Sequence, residues 1–151
     1  MVIRKLFKFE MGHVVRKAYS RRCAKNIHGH SYLLEVFLKG NEVNDAQMVV
    51  DFGEVKHHIA DFIDSFDHAF CLRNLPEEAE LIEFACKNFE RVIVLPYNST
   101  AEMMAKMFHD VIQKIMPEVT VLKCIVHETA TGYAEYALTP TENIPETAFP
   151  I

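Results

Sequence analysis

No CxxC pair occurs in this chain, although it has four cysteines, Cys23, Cys71, Cys86 and Cys124. Their scatter argues against a four-cysteine zinc knuckle and against a disulfide framework. No apolar run approaches the roughly 20 residues that a membrane span needs. Residues 1–13 carry a charge every few positions and lack the apolar stretch of a signal peptide. The expectation is a cytoplasmic protein with no membrane partner. A basic excess is missing too. The formal net charge is -5, which argues against a nucleic-acid partner, since such domains are usually basic. There is no internal repeat and no low-complexity segment. The remainder is ordinary for a soluble globular chain: 151 residues, 50% apolar and 25% charged. That length suits one domain with a real core, expected over residues 1–138. Residues 139–151 hold three prolines and little pattern, and read as a loosely held tail.

The order of elements is α+β. Residues 3–11 read as a strand, with Ile3, Phe7, Phe9 and Met11 sharing one parity and His13 continuing it. A second strand runs over 28–39, followed by a turn cluster at 40–45. Residues 47–51 read as a short strand. A helix starts at Glu54, with Val55, Ile59, Phe62 and Phe66 on one face, and Asp67-His68 lies at or just beyond its end. Residues 77–87 suit a short helix and 91–95 a strand. Ser99 as N-cap with Glu102 three residues on forms a capping box. Met104, Ala105, Phe108, Val111, Ile112 and Ile115 mark the apolar face of the helix that follows, which Pro117 ends. Strands at 119–128 and 133–138 complete the pattern.

The chemistry concentrates at His28-Gly29-His30. In a strand these two histidines share a face, and two imidazoles on one face make half of a zinc site. By itself the pair is weak evidence, because strand histidines in a core wall are commoner than ligands. HxH pairs also serve large barrel hydrolases and cupins. This chain is too short for an eight-fold α/β barrel of ~250 residues, and its two long helical stretches argue against an all-β cupin. His13 strengthens the case. If the first two strands form an antiparallel hairpin, the end of the first lies beside the start of the second. Three imidazoles then leave one tetrahedral position open, the pattern of a catalytic zinc.

Cys23 lies upstream of the pair in a basic stretch with Arg16, Lys17, Arg21, Arg22 and Lys25. A charge run is usually a solvated loop, but this one surrounds a thiol and leads into the histidines. It suits an anionic substrate such as a phosphate ester, and it favours a partly ionised thiol able to act as base or nucleophile. Cys71, Cys86 and Cys124 read as structural. His57, His58 and His109 fall on helices and read as surface or satisfied histidines. Glu128 shares parity with Leu122, Cys124 and Val126, so it is expected to point inward. A buried carboxylate needs a partner: either a Lys or Arg of the chain, or a ligand with a guanidine-like pair of donors.

Together these residues resemble the 6-pyruvoyl-tetrahydropterin synthase and 6-carboxy-tetrahydropterin synthase family, over roughly residues 3–138. His13, His28 and His30 match its zinc histidines, and Cys23 its catalytic cysteine. Met48-Val49-Val50-Asp51-Phe52 resembles its M-V-x-D-F segment, and Phe66-Asp67-His68 its L-D-H motif. Asn98-Ser99-Thr100-Ala101-Glu102 resembles its N-P-T-x-E helix start, with Ser99 in place of proline. His127-Glu128-Thr129 resembles the segment whose glutamate anchors the pterin.

The resemblance implies a tunnelling fold: an antiparallel four-stranded sheet with two main helices on one face, whose subunits join edge to edge into a barrel. Homo-oligomers built on trimers, which can pair into hexamers, and active sites between subunits go with it. It implies Zn2+ as cofactor and 7,8-dihydroneopterin triphosphate as substrate. Cys23, Asp67 and His68 would be catalytic. Glu128, with Thr100 and Glu102 of the helix-start motif, would bind the pterin. The resemblance does not assign a triphosphate site; Arg22 and Lys25 are our candidates for it. Four residues separate Cys23 from His28, a spacing between those usual in the queuosine and biopterin branches. The expected activity is that of the queuosine-pathway lyase, with 6-pyruvoyl synthase as the runner-up. A non-catalytic, zinc-stabilised pterin-binding oligomer is the reading from another class.

Overall fold

A computed structural model describes residues 1–138; the expected tail, 139–151, lies outside the described residues. The core of the fold is a long hairpin. β1 (Val2–His13) and β2 (His28–Lys39) pair antiparallel from Val2↔Lys39 to His13↔His28. β5 (Thr120–Thr129) adds antiparallel to β2, and β6 (Gly132–Ala137) adds antiparallel to β5. These are the four antiparallel strands that the family resemblance implies.

Two further strands extend the sheet beyond β1. β3 (Ala69–Arg73) pairs parallel with the last residues of β1, and β4 (Val92–Leu95) pairs parallel with β3. The order is β4-β3-β1-β2-β5-β6, so the sheet is mixed. β3 has no alternation to mark it. It is an apolar run whose pairing depends on the crossover before it, as parallel strands require.

That crossover is α2 (Phe52–Asp64), which begins two residues earlier than its periodicity indicates because Asp51 caps it, accepting from the Gly53 amide at 2.6 Å. α4 (Ala101–Ile115) is the other long helix. Val55, Ile59 and Ile63 of α2 and Met104, Phe108 and Ile112 of α4 join Phe9, Met11, Tyr32, Leu34, Val36, Cys124 and Val126 in one buried cluster. Both helices therefore cover the same face of the sheet. At about 25 cal/mol per Å2 of apolar surface, this burial is the main stabilising term of the fold. α1 (Arg21–Lys25) is a single helical turn carrying Cys23, and α3 (Ala79–Asn88) follows a 3-10 turn at Pro76–Glu78. The opposite face of the sheet is polar and ion-paired. Glu35 accepts from Arg4 at 2.8 Å and from His127 at 2.7 Å, and Lys123 pairs with Glu135 at 2.8 Å.

Three local expectations are corrected. Residues 47–51 are not a strand. The Asn44 side chain accepts from the amides of Ala46 and Met48, both at 3.0 Å, and Gln47 has φ 63°, so a side-chain-closed turn replaces it. Thr100, not Ser99, caps α4, accepting from the Met103 amide at 3.4 Å. The Ser99 hydroxyl is engaged elsewhere, and the capping box does not form. A bulge at Leu122 shifts the parity of β5, since Leu38 pairs with Val121 while Phe37 pairs with Lys123. Val121 is buried in place of Leu122, whereas Cys124 and Val126 face the core as expected.

Candidate metal centre and active site

The hairpin register brings the three histidines together. His13 lies directly opposite His28, and His30 is opposite Met11. Their ring centroids are 4.5 Å (His13–His28), 5.2 Å (His13–His30) and 5.4 Å (His28–His30) apart. One nitrogen from each lies within 4.8 Å of the others. Gly29 keeps the strands at this spacing. A Cβ there would sit 2.9 Å from the Met11 carbonyl oxygen, closer than any real Cβ approaches.

The hydrogen bonds set the tautomers. His13 Nδ1 lies 3.0 Å from the Ser99 carbonyl, which can only accept, so Nδ1 carries the proton. The Ser99 hydroxyl lies 3.1 Å from the same nitrogen. His13 Nε2 is then a bare lone pair, buried and without a partner among the described residues. An orphaned acceptor inside a protein costs ~1–3 kcal/mol unless something binds it. His28 Nδ1 is likewise 3.1 Å from the Asn26 carbonyl, which turns its Nε2 toward the cluster as an acceptor. Burial, then the charge of His28, holds His13 down at about 4, and the same two causes lower His30. Both rings are thus neutral at neutral pH, the form that binds a metal. Three imidazoles, two of them held at Nδ1 by backbone carbonyls in the manner of zinc-ligand histidines, fit a zinc ion with one position left open.

Tyr32, two residues beyond His30 on the same face, lines the site. Its ring stacks on Phe9 at 4.9 Å, and its hydroxyl donates to Glu128 Oε1 at 3.5 Å. Burial, followed by the Glu128 charge, pushes the Tyr32 hydroxyl well above its ordinary pKa, so it stays a donor. Glu128 is half-buried, as its parity indicates. No Lys or Arg partner meets it among the described residues. Burial and the neighbouring Glu102 raise its pKa. Glu102 lies exposed in the first turn of α4, and Thr100 caps that helix.

Cys23 is half-exposed on α1. Its carbonyl accepts from the Val15 amide at 3.0 Å, only two residues past His13. Arg22 and Lys25 are exposed on the same turn, while Arg16 is occupied by Glu78.

Asp67 and His68 take a different place. The Asp67 carboxylate accepts from the Glu10 amide at 2.7 Å and from His68 Nδ1 at 2.8 Å. The His68 amide donates to the Glu10 carbonyl at 2.6 Å. The Glu10 bond is the main reason the Asp67 pKa is lowered. His68 has φ 56° and is largely exposed, a strained conformation for a residue with a side chain. Glu10 alternates with Phe9 and Met11, so it points away from the helices, and Ser31 Oγ donates to it at 2.8 Å on that side. His68 shares a shallow depression with Glu10, Met11, Gly12, Gly29, His30 and Ser31. The pair thus lies on the sheet face opposite the histidine cluster. Among the described residues, no hydrogen bond joins it to Cys23 or to the three histidines. One chain brings together His13, His28, His30, Tyr32 and Glu128, and it sets Asp67 and His68 apart.

Sequence reasoning missed Tyr32 and Ser99 as members of the site. Tyr32 had a signal, because its parity continues that of His28 and His30. Ser99 had none, since 86 residues separate it from the histidine it holds.

The chain is similar to several known proteins. A 6-carboxy-5,6,7,8-tetrahydropterin synthase of Helicobacter pylori strain J99 is 42% identical, over 95% of this chain and 76% of that protein. The protein of the same name from Aquifex aeolicus is 36% identical, over 89% of this chain and 96% of its own length. An uncharacterised Wolinella succinogenes protein of known structure superposes with a TM-score of 0.79 at 20% identity, covering 92% of this chain and 98% of the other. The Caenorhabditis elegans 6-pyruvoyl tetrahydropterin synthase does so at 0.65 and 22%, covering 92% and 96%. These two structures share the fold. The 6-pyruvoyl tetrahydropterin synthase family model matches residues 2–138, and the chain belongs to that family.

Proposed function

We propose that this protein is a zinc-dependent 6-carboxy-5,6,7,8-tetrahydropterin synthase. With uptake of one water, it converts 7,8-dihydroneopterin triphosphate to 6-carboxytetrahydropterin, acetaldehyde and triphosphate, in queuosine and 7-deazapurine biosynthesis. The observation that carries the reading is the buried Nε2 of His13, without a hydrogen-bond partner among the described residues, in a cluster of three imidazoles. The names of the relatives most similar in sequence point the same way.

His13, His28 and His30 hold the zinc, which when bound acidifies the hydroxyls and adjacent C–H of the substrate side chain. Glu128 accepts the paired N–H donors of the pterin's amino group and ring, a bidentate match. Those donors add to the long bond that Glu128 receives from Tyr32. Thr100 and Glu102 lie at the same end of α4 and complete the pterin pocket. Cys23, as thiolate, removes a proton from the side chain. Arg22 and Lys25, exposed on the same turn, hold the triphosphate. Asp67 fixes the His68 tautomer and supports its charge, and His68 relays the proton.

Because Asp67 and His68 face away from their own histidine cluster, they serve the cluster of a neighbouring copy. Sheet edges support such an assembly. Among the described residues, residues 2–10 of β1 have a strand partner on one side only, as does β6, and closing subunits into a ring covers such edges. Trimers that pair into hexamers are the proposed form, in the cytoplasm. Among the described residues, no helix is long and apolar enough to cross a membrane.

The test is incubation of the purified, zinc-loaded protein with dihydroneopterin triphosphate and mass spectrometry of the products. Acetaldehyde with 6-carboxytetrahydropterin is expected. Triphosphate release with a retained three-carbon side chain would make it a 6-pyruvoyl synthase. Absence of any turnover would favour the non-catalytic oligomer.

A further inference from the structure

The turn that carries Cys23 is not held by packing. No residue of α1 is buried, and no side chain caps its start. Among the described residues, two bonds place it: the Val15 amide donates to the Cys23 carbonyl at 3.0 Å, and the one side-chain tether from outside the turn is Arg16. Arg16 Nη1 donates to the Ala24 carbonyl at 2.9 Å, next to Cys23. The other side of the same guanidinium meets Glu78, with Nη2 to Oε2 at 2.8 Å and Nε to Oε1 at 2.7 Å. Glu78 is 7% exposed and lies at the start of α3, so the fork has a rigid anchor. The backbone of Arg16 is tied as well, since Asn98 Nδ2 donates to its carbonyl at 2.7 Å. Asn98 precedes Ser99, whose carbonyl holds the His13 ring. One arginine therefore links the thiol-bearing turn, the segment that orients the first ligand histidine, and the segment after β3.

We propose that Arg16, held by Glu78, is a positioning residue for Cys23: it fixes the turn at 20–25 beside the histidine cluster and acts on the reaction only through that turn. The proposal rests on the reading of Cys23 as the proton acceptor. A planar guanidinium suits the task because it can serve a carboxylate and a carbonyl at once in fixed directions. A lysine offers a point charge and cannot span both. Displacing a reacting group by about 1 Å can cost on the order of 100-fold in rate.

The experiment compares zinc-loaded wild type with Glu78→Gln, Arg16→Lys and the double variant Arg16→Met, Glu78→Met. The double variant leaves no unpaired buried charge and so guards against a folding failure of the single changes. Three quantities are read: amide hydrogen exchange across residues 18–25, the alkylation rate of Cys23 as a function of pH, and kcat and KM separately. Exchange in 18–25 is expected to rise at least tenfold, and Cys23 alkylation to change in rate and pH profile. kcat is expected to fall at least tenfold with KM within about threefold and zinc stoichiometry unchanged. Unchanged exchange and unchanged alkylation in all variants would overturn the proposal, whatever happens to turnover. So would loosened exchange with kcat retained, provided Cys23→Ala is inactive. If Cys23→Ala keeps full turnover, the catalytic reading of Cys23 fails instead, and the exchange data show that separately.

Discussion

Acidifying the metal-free protein tests the physical basis of the histidine cluster without any substrate. In the fold, the His13 pKa is lowered from 6.5 to about 4, first by burial and then by the His28 charge. In the unfolded chain it returns to ~6.5. The folded form therefore resists a proton that the unfolded form accepts. Stability from this residue is complete above ~6.5, falls as pH drops, and levels off below the folded pKa of about 4. A shift of this size corresponds to about 3 kcal/mol in full. Linkage places about 1.4 kcal/mol of the loss by pH 5.5 and about 2.5 kcal/mol by pH 4.5. The assay is urea unfolding of the apoprotein at pH 7.5, 5.5 and 4.5, at one protein concentration because an oligomer's stability depends on it. His30 shifts in the same direction, so the His13 share is isolated by comparison with His13→Asn. The wild-type stability advantage over that variant should shrink by about 2–3 kcal/mol across the range. An advantage that is independent of pH would refute the claim that His13 is held neutral by burial.

Gly29→Ala should cost about 1–3 kcal/mol and lower zinc occupancy, because the new Cβ meets the Met11 carbonyl at 2.9 Å; thermal unfolding and metal analysis check both, and an unshifted midpoint would contradict the contact. His30→Ala should lose stoichiometric zinc while keeping its far-ultraviolet circular dichroism, and retained zinc would sink the three-histidine site. Glu128→Gln should weaken pterin binding by roughly 10- to 150-fold, the ~1.5–3 kcal/mol of a hydrogen bond to a charged group, as read by fluorescence titration. Equal affinity would mean that Glu128 does not face the ligand.

The elements that could be read from the chain are those whose determinants are local. β1 and β2 follow from period-two alternation, and α4 from apolar residues three and four apart. The histidine triad follows from both, because a hairpin places the end of one strand against the start of the next. Residues 47–51 misled because an apolar pair suggests a strand, whereas the Asn44 side chain closes a turn around them. Ser99 misled for the opposite reason. It satisfies a capping rule locally, but its hydroxyl answers to a histidine far away in sequence.

Residue types and their spacing were enough to single out the three imidazoles that the fold brings together and a carboxylate that points inward. Alternation and hydrogen-bond chemistry act over a few residues and are written in the chain. Only the tertiary structure decided how those donors are held and which way they face. The crossover through α2 sets β3 parallel to β1, and that register places His68 beside Glu10, on the far side of the sheet from His13. Distant contacts from Ser99 to His13 and from Glu78 to Arg16 likewise fix the ring tautomer and the thiol-bearing turn. A contact between residues tens of positions apart leaves no periodicity, so it becomes visible only when the chain has closed.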